Sequence, residues 1–403
     1  MMKVLVADRF EKVGLDGLRE LGCNVVYEAD LPVARLPDAL RELDPKVLIV
    51  RGKRVNAAAL EAGAGLSLVI RAGAGIDNID VPAASRLGVF VSNCPGKNSI
   101  AVAELVIGLL HAVDRRIPDQ VADLRHGVWN KAEYSDARGL HGRTLGIVGL
   151  GQIGREVARR AQACGMRVVA WSRQLTIEDA TRLAIGYCQT PIEVARLSDA
   201  VSINVAAAPE TARLVNREFL AAMRPGAYLI NTSRGSVVDE TALADAVREK
   251  GIRVALDVYD REPAGGTGEF HAPLADLPGV YGTHHVGAST EQAQVAIAHE
   301  VIRIVEEFQA TGGVPNCVNR LAKSSATHVL SIRHQNRPGV LAHVFNVLAE
   351  LQINVEEVEN IIYHGAQATL ARIHLSADPG SQAMARIRDG NSHILSAELR
   401  PID

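Results

Sequence analysis

Short apolar runs recur along the first part of the chain, at 3–7, 25–27, 47–50, 68–70 and 89–91. Helical stretches separate most of them, with a periodic apolar face near 15–21. Buried strands alternating with helices predict a parallel sheet covered on both faces. The alternation restarts at Thr144, with strand-like segments at 145–148, 168–171, 200–205, 227–231 and 253–258. Two longer helical patterns carry the chain between these halves. The first covers 99–116, with Asn98 or Ser99 as its N-cap and Pro118 past its end; the second covers 291–311. Gly312-Gly313-Val314-Pro315-Asn316 is a turn-rich break, and a polar linker follows at 322–325. The last unit, from Thr327 to Asp403, reads strand, helix, strand, strand, short helix, strand. That is the βαββαβ order of a ferredoxin-like sandwich. The predicted fold is therefore α/β, with two doubly wound, Rossmann-like parallel-sheet domains and a C-terminal ferredoxin-like domain. The expected boundaries are 1–98 with 290–318 for a discontinuous first domain, 99–289 for the second and 326–403 for the third.

Composition narrows the function. At roughly 100–200 residues per domain, 403 residues suffice for several cores. A formal net charge of -3 offers no basic field for nucleic acid and no acidic tail. The cysteines, Cys23, Cys94, Cys164, Cys188 and Cys317, are scattered and form no CxxC pair. That argues against a disulfide framework and against a zinc site, and no metal is expected. Met1 leads directly into a strand-like run, without a signal peptide. The longest apolar stretch, 101–113, is interrupted by Glu104 and His111 and is too short to span a bilayer. The cytoplasm is the expected compartment, with no membrane partner.

Gly149-Leu150-Gly151-Gln152-Ile153-Gly154 fits GxGxxG. Alone the pattern is weak. Here a strand precedes it, a helical pattern over 155–164 follows, and a second strand comes next. In that setting the glycines permit a tight turn, close backbone approach and helix–strand packing, and free N–H groups face a pyrophosphate. At the end of the second strand an acidic residue ordinarily accepts the ribose hydroxyls of NAD. This chain has Trp171-Ser172-Arg173. Nothing there repels a 2′-phosphate, and Arg173 can pair with one, so the expected cofactor is NAD or NADP. Arg173 as a plain solvated turn residue is the alternative.

Three later segments each follow a strand and so stand at the carboxyl edge of the sheet, where open α/β sheets bind ligands. They are Ile230-Asn231-Thr232-Ser233-Arg234-Gly235, Leu256-Asp257-Val258-Tyr259-Asp260-Arg261-Glu262-Pro263, and Thr283-His284-His285-Val286-Gly287-Ala288-Ser289-Thr290. They resemble the D-isomer-specific 2-hydroxyacid dehydrogenase family, in the right order and over nearly the whole chain. Reducing a 2-keto acid adds hydride to carbon and a proton to oxygen. The His285 imidazolium can give that proton and the neutral ring can take it back. Glu262 suits the other ring N–H, orienting the ring and favouring the imidazolium. Arg234 offers a fixed fork for the substrate carboxylate and polarises the carbonyl. The resemblance implies that Asp257 contacts the nicotinamide end, and that Thr232 and Ser233 also line the cofactor. It selects His285 over His284, which stands where the family often has proline. Asn204 to Ala208 departs from the family's usual His- or Pro-containing loop.

Ile70-Arg71-Ala72-Gly73-Ala74-Gly75-Ile76-Asp77-Asn78-Ile79-Asp80 resembles the family's substrate-binding turn, whose N–H groups can form a carboxylate nest. Arg51, Arg71, Ala72 and Gly73 are the expected substrate contacts. In the phosphoglycerate dehydrogenases of this family, residues at Arg51 and Arg71 look like phosphate ligands; a solvated charged face is the alternative. Asn93 to Ser99 resembles the family's lead into the connecting helix. That helix pairs subunits in relatives, so a homodimer or homotetramer is expected, although its apolar face could instead be spent within one chain. Thr327 to Asp403 resembles an ACT domain. Arg333-His334-Gln335-Asn336-Arg337-Pro338-Gly339 opens a helix whose orphan N–H groups suit a carboxylate. His334, Asn336 and Asn354 match positions that hold serine in serine-regulated relatives, so L-serine is the expected effector unless the unit serves only assembly. The resemblance implies oxidation of 3-phospho-D-glycerate to 3-phosphohydroxypyruvate, the first step of L-serine synthesis. Two alternatives stand beside it: an NADPH-dependent glyoxylate or hydroxypyruvate reductase, and a dinucleotide-sensing corepressor that shares the fold.

Overall fold

The computed structural model describes residues 1–263, 268–321 and 324–402. They form two compact units, Met1–Asn319 and Arg320–Asp403. Positions 322–323 of the expected polar linker, and residue 403, lie outside the described residues.

The first unit opens with β1 (Lys3–Val6), α1 (Lys12–Glu20), β2 (Asn24–Tyr27), α2 (Leu36–Leu43), β3 (Val47–Val50), α3 (Ala57–Ala62), β4 (Leu68–Arg71), α4 (Val81–Arg86) and β5 (Phe90–Asn93). The strands form a parallel sheet in the order β2-β1-β3-β4-β5. β3 shows why these strands read as unbroken apolar runs. Leu48 and Val50 enter the core on one face, and Val47 and Ile49 enter the core on the other. Burying each such side chain contributes roughly 1.5–3 kcal/mol, so neither face tolerates a polar position.

The chain then crosses through α5 (Ser99–Arg115) and α6 (Ile117–Arg125) into β6 (Thr144–Val148), α7 (Gln152–Ala163), β7 (Arg167–Trp171), α8 (Ile177–Arg182), β8 (Gly186–Tyr187), α9 (Pro191–Leu197), β9 (Ala200–Ile203), α10 (Arg217–Ala222), β10 (Tyr228–Asn231), α11 (Glu240–Lys250), β11 (Arg253–Leu256) and β12 (Val280–Gly282). This second parallel sheet runs β12-β11-β10-β9-β6-β7-β8. The order reverses between β6 and β9, the switch point at which such sheets open a crevice. α12 (Glu291–Thr311) returns the chain to the first sheet. α5 seats Ala103, Val106, Leu110 and Val113 against the second sheet, and α12 seats Ile297, Val301, Ile304 and Val305 against the first.

Several local expectations need adjustment. α5 stops where expected, at Arg116 with φ 51, but Pro118 opens α6 instead of closing the helical run. A fixed φ and a missing N–H suit a first turn. Asn98 occupies the N-cap of α5 without a side-chain cap bond. The strands expected to reach 205 and 258 end at Ile203 and Leu256. β8 and β12 are too short to leave a pattern.

The second unit comprises β13 (His328–Gln335), α13 (Val340–Glu350), β14 (Val355–Ile362), β15 (Ala368–Leu375), α14 (Gly380–Asp389) and β16 (Ile394–Pro401). Its antiparallel sheet runs β14-β15-β13-β16, the arrangement the βαββαβ order predicts. Leu330, Ile332, Ala371 and Ile373 meet Val340, Val344, Val347 and Ile387 in its core. Among the described residues no helix is long and apolar enough to cross a membrane, and no cluster of three or more His, Cys, Asp or Glu could hold a metal ion.

Candidate active site

The glycine loop sits at the switch point. Gly149 turns with φ +97, and a Cβ there would stand 2.7 Å from the carbonyl oxygen of Asn204 at the end of β9. A Cβ on Gly154 would stand 2.3 Å from the Gly149 carbonyl oxygen, so α7 meets β6 only because that residue is glycine. Gly151 has nothing within 4 Å of its Cβ position, leaving open space above the first turn of α7. Ile153 is half-buried, and Gln152 reaches back to Gly96 in the first crossing segment. Beside the loop, Asn204 Oδ1 and Thr232 Oγ1 are buried without a hydrogen-bond partner. An open cradle at a helix N-terminus, flanked by two orphaned polar atoms, fits a dinucleotide. Ser233 differs from Thr232: its N–H and Oγ both donate to Asn231 Oδ1. At the far end of the crevice Ser172 is half-buried and Arg173 exposed, with no ion pair for Arg173 among the described residues.

The catalytic candidates converge from the ends of β10, β11 and β12. Asn231, wholly buried, organises the first loop: its Nδ2 donates to the Arg234 carbonyl at 2.9 Å while its Oδ1 accepts from Ser233. The sequence signal for it was a polar residue closing an apolar strand. A Cβ on Gly235 would stand 2.0 Å from the backbone of Tyr259, so glycine there lets the Arg234 loop lie on the Glu262 loop. Glu262 Oε1 accepts from the Tyr259 N–H at 2.8 Å, and its Oε2 lies 2.7 Å from Nδ1 of His285. Burial on its own raises the Glu262 carboxyl. The His285 contact, the Tyr259 N–H and the charges of His285 and Arg234 outweigh it and leave the carboxyl below its ordinary value. An ionised Glu262 only accepts, so Nδ1 carries the hydrogen and Nε2 is left to exchange a proton. His284 is exposed, with no partner among the described residues.

Asp257 stands differently from its expected place. It is 1% exposed and turned inward. Its Oδ1 accepts from Thr283 Oγ1 at 2.6 Å and the Val286 N–H at 2.8 Å, and its Oδ2 accepts from the Gly287 N–H at 2.9 Å. The carboxylate therefore holds the loop that bears His285, whose own backbone is left-handed at φ 53. A non-glycine residue in that region carries about 1–3 kcal/mol of strain, and persists where its surroundings fix it.

Across the cleft, three arginines gather. Arg51 extends from a turn anchored by Asp8, whose Oδ2 accepts the N–H groups of Arg51, Gly52 and Lys53; its Nη2 reaches Ser289 Oγ at 3.4 Å. The Arg71 guanidinium folds over Gly73 and that of Arg234 over Gly75. Arg71 is lowered to about 10, first by burial, then by the positive charge of Arg234 and, more weakly, of Arg51. Its buried Nε has no partner. The expected nest shifts by two residues. The Ala72 N–H already donates to the Val50 carbonyl at 2.7 Å and the Gly73 N–H to the Arg71 carbonyl at 2.8 Å. The sheet ladder extends one residue past β4 and takes the Ala72 donor, and a tight turn onto the Arg71 carbonyl takes that of Gly73. The N–H groups of Ala74, Gly75 and Ile76 have no acceptor among the described residues and are the ones open to a carboxylate.

The second unit corrects the regulatory set. His334 is 3% exposed, with Nδ1 2.7 Å from the Gln335 carbonyl and Nε2 3.5 Å from Thr369 Oγ1, so its ring is spent inside the domain. The Asn336 N–H donates to the Gln367 carbonyl, whereas the Asn354 carbonyl accepts from the Ser376 N–H. The length of β15, Ala368–Leu375, separates these two points. At about 3.3 Å per residue, Asn336 and Asn354 stand roughly 25–30 Å apart. α13 runs the length of the sheet, so residues flanking it fall at opposite ends. One small ligand cannot touch both within one chain.

Comparison with known proteins agrees with this layout. Residues 107–287 match the family described as D-isomer specific 2-hydroxyacid dehydrogenase, NAD binding domain, and residues 328–359 match the ACT domain. The chain is 36% identical over 324 residues to a D-3-phosphoglycerate dehydrogenase of Methanocaldococcus jannaschii, covering 79% of this chain and 60% of that protein. It is 39% identical over 319 residues to the D-3-phosphoglycerate dehydrogenase of Mycobacterium leprae, covering 78% and 58%. The matched region thus spans less than two thirds of these relatives' length. Among solved structures, the TT0316 protein from Thermus thermophilus superposes with a TM-score of 0.69 at 35% identity, over 79% of this chain and 100% of that one.

Proposed function

The chain belongs to the D-isomer specific 2-hydroxyacid dehydrogenase family, and from that premise we propose that it oxidises 3-phospho-D-glycerate to 3-phosphohydroxypyruvate in the cytoplasm, the first step of L-serine synthesis. The observation that carries the substrate is the gathering of Arg51, Arg71 and Arg234, with the Arg71 guanidinium over Gly73 and that of Arg234 over Gly75; after burial, the repulsion of the other two also lowers Arg71. A substrate with a carboxylate and a phosphate relieves that repulsion; a small monoanion does so only in part. The substrate carboxylate lies against the open N–H groups of Ala74 and Gly75 and the Arg234 guanidinium. The phosphate lies toward Arg51 and Arg71.

A nicotinamide dinucleotide, when bound, accepts the hydride from C2. The chain's own residues do the rest. Nε2 of a neutral His285 takes the hydroxyl proton as the C2 hydride departs, and returns it in the reverse direction. Glu262 holds the ring by Nδ1 and faces the positive charge that the ring gains. Arg234 stabilises the developing carbonyl. Asp257 keeps the His285 loop in place.

A kinetic panel tests the reading: 3-phosphoglycerate, glycerate, D-lactate, hydroxypyruvate and glyoxylate, each with NAD(H) and NADP(H). Arg51→Ala is expected to raise KM for the phosphorylated substrate and hardly alter hydroxypyruvate. Equal losses on both, or no turnover of 3-phosphoglycerate by the wild type, would refute it. The second reading is an NADPH-dependent glyoxylate or hydroxypyruvate reductase. Exposed Arg173 beside Ser172, with no carboxylate at the ribose end, favours it. The effector reading changes form with the structure. If L-serine binds, Asn336 of one chain and Asn354 of another hold it, which requires a homodimer or homotetramer.

A further inference from the structure

Arg234 belongs to the second sheet's edge, yet its side chain is held from the first. Nε donates to Asp77 Oδ2 at 2.7 Å, and Nη1 donates to the carbonyl of its neighbour Ser233 at 2.7 Å. Those bonds take the Nε–H and one hydrogen of Nη1. Of the three N–H groups that remain, two lie on the Nη1–Nη2 edge and one, on Nη2, faces the Nε side. That edge sits over the nest: a Cβ on Gly75 would stand 2.0 Å from Nη2. A carboxylate beside the free Gly75 N–H therefore meets the Nη groups of the guanidinium, since Nε is taken by Asp77.

Asp77 itself is fixed from below. Its turn is pinned on both sides: the Asn78 Nδ2 donates to the Lys53 carbonyl at 2.8 Å, the Ile79 N–H to the Ile76 carbonyl, and the Asp80 N–H to the Val55 carbonyl. The Asp77 side chain stands 56% exposed to the cleft, with Arg234 as its ion-pair partner. Its charge also acts on Arg71, opposite in sign to those of Arg51 and Arg234. A carboxylate among arginines that await an anionic substrate weakens ground-state attraction. Its presence calls for a compensating role, and the Nε bond supplies one.

We propose that Asp77 is a positioning residue for the dehydrogenase reaction: by holding Nε of Arg234 across the cleft, it presents the Nη edge to the substrate carboxylate and carbonyl. The inference rests on the 2-hydroxyacid dehydrogenase reading, though not on phosphoglycerate as the substrate. An arginine side chain carries about 2 kcal/mol of rotamer freedom. Small displacements of a reacting group lower rates steeply, while attraction for an anion does not need the same precision. Removing Asp77 therefore affects kcat and KM in different ways.

The experiment uses the full chain and reads hydroxypyruvate and glyoxylate reduction. Asp77→Ala is expected to lower kcat about tenfold, with KM unchanged or lower because a negative charge has left the site. Asp77→Asn, which keeps an acceptor for Nε, should retain more activity than Asp77→Ala. In an Arg234→Lys background, which lacks Nε, Asp77→Ala should lower kcat less than twofold further. Oxalate titrated by calorimetry, which needs no turnover, should bind Asp77→Ala at least as tightly as wild type. A loss undiminished in the Arg234→Lys background, a raised KM with unchanged kcat, or weakened oxalate binding each overturns the proposal. Failure of the phosphoglycerate reading shows up elsewhere, as a wild type that turns over the small keto acids and not 3-phosphoglycerate.

Discussion

Glu300→Gln should destabilise the first unit in a pH-dependent way. Glu300 stands on α12 with its side chain 7% exposed, and it knots three segments. Oε1 accepts from Arg303 Nη2 at 2.6 Å and from Asn316 Nδ2 at 2.7 Å, while Oε2 lies 3.1 Å from Lys97 Nζ, in the segment leading into α5. The Arg303 hydrogen bonds lower its carboxyl most; burial opposes them, and Asn316 and Lys97 add to the lowering, for a result of about 2 against an ordinary 4.5. At 1.36 kcal/mol per unit, that difference is worth at most about 3.4 kcal/mol. Arg303 and Lys97 are 52% and 39% exposed, and solvent screening there reduces the figure to about 2 kcal/mol. For a unit of this length, about 2 kcal/mol lowers Tm by roughly 3 °C. The sign follows from linkage. A carboxyl depressed in the folded state adds stability that is complete above about 4.5 and is lost as pH falls through about 2. By pH 3.5 about 60% of it should remain. Scanning calorimetry of wild type and variant should therefore show a gap in Tm at pH 7 that narrows at pH 3.5. A gap that stays constant between the two, or a gap under half a degree at pH 7, would refute the reasoning.

The remaining predictions concern the chemistry, the cofactor and the effector. His285→Ala should lower kcat by about 10²–10⁴, whereas His284→Ala should change it little; steady-state kinetics on folded variants decides, and the reverse order would reassign the acid–base. Wild type should turn over NADP(H) measurably, and Ser172→Asp should shift preference toward NAD; a wild type silent with NADP(H) would remove Arg173 from the cofactor site. L-serine should bind wild type by calorimetry and neither Asn336→Ala nor Asn354→Ala. Oligomers reassembled from a mixture of the two variants should recover part of the binding, and no recovery would mean that the two residues do not share a ligand.

What could be read from sequence divides along a physical line. The parallel strands were legible because burial on both faces forces an unbroken apolar run, as the two-sided packing of Val47 to Val50 shows. The glycine loop was legible because its conformational demands fall on adjacent residues. That Arg234, Glu262 and His285 share one sheet edge was legible because the segment of each follows a strand end, although Glu262 stands six residues past β11; their expected roles came from the family resemblance. The misplaced features depend on where distant backbone lies. Arg234 and Asp77 are 157 positions apart, and only the tertiary fold pairs them. The Ala72 and Gly73 donors looked free because sequence does not show that β4 keeps its ladder for one more residue, nor that the Gly73 N–H turns back onto the Arg71 carbonyl. Asn336 and Asn354 illustrate the limit in the other direction, since they are near in sequence and far in space. Eleven helical residues, Val340–Glu350, intervene. At 1.5 Å of rise each, they move the chain about 16 Å, and the flanking loops add the rest. A pair of amides that the sequence places around one ligand therefore frames a whole domain. A small ligand that touched both would need a second chain.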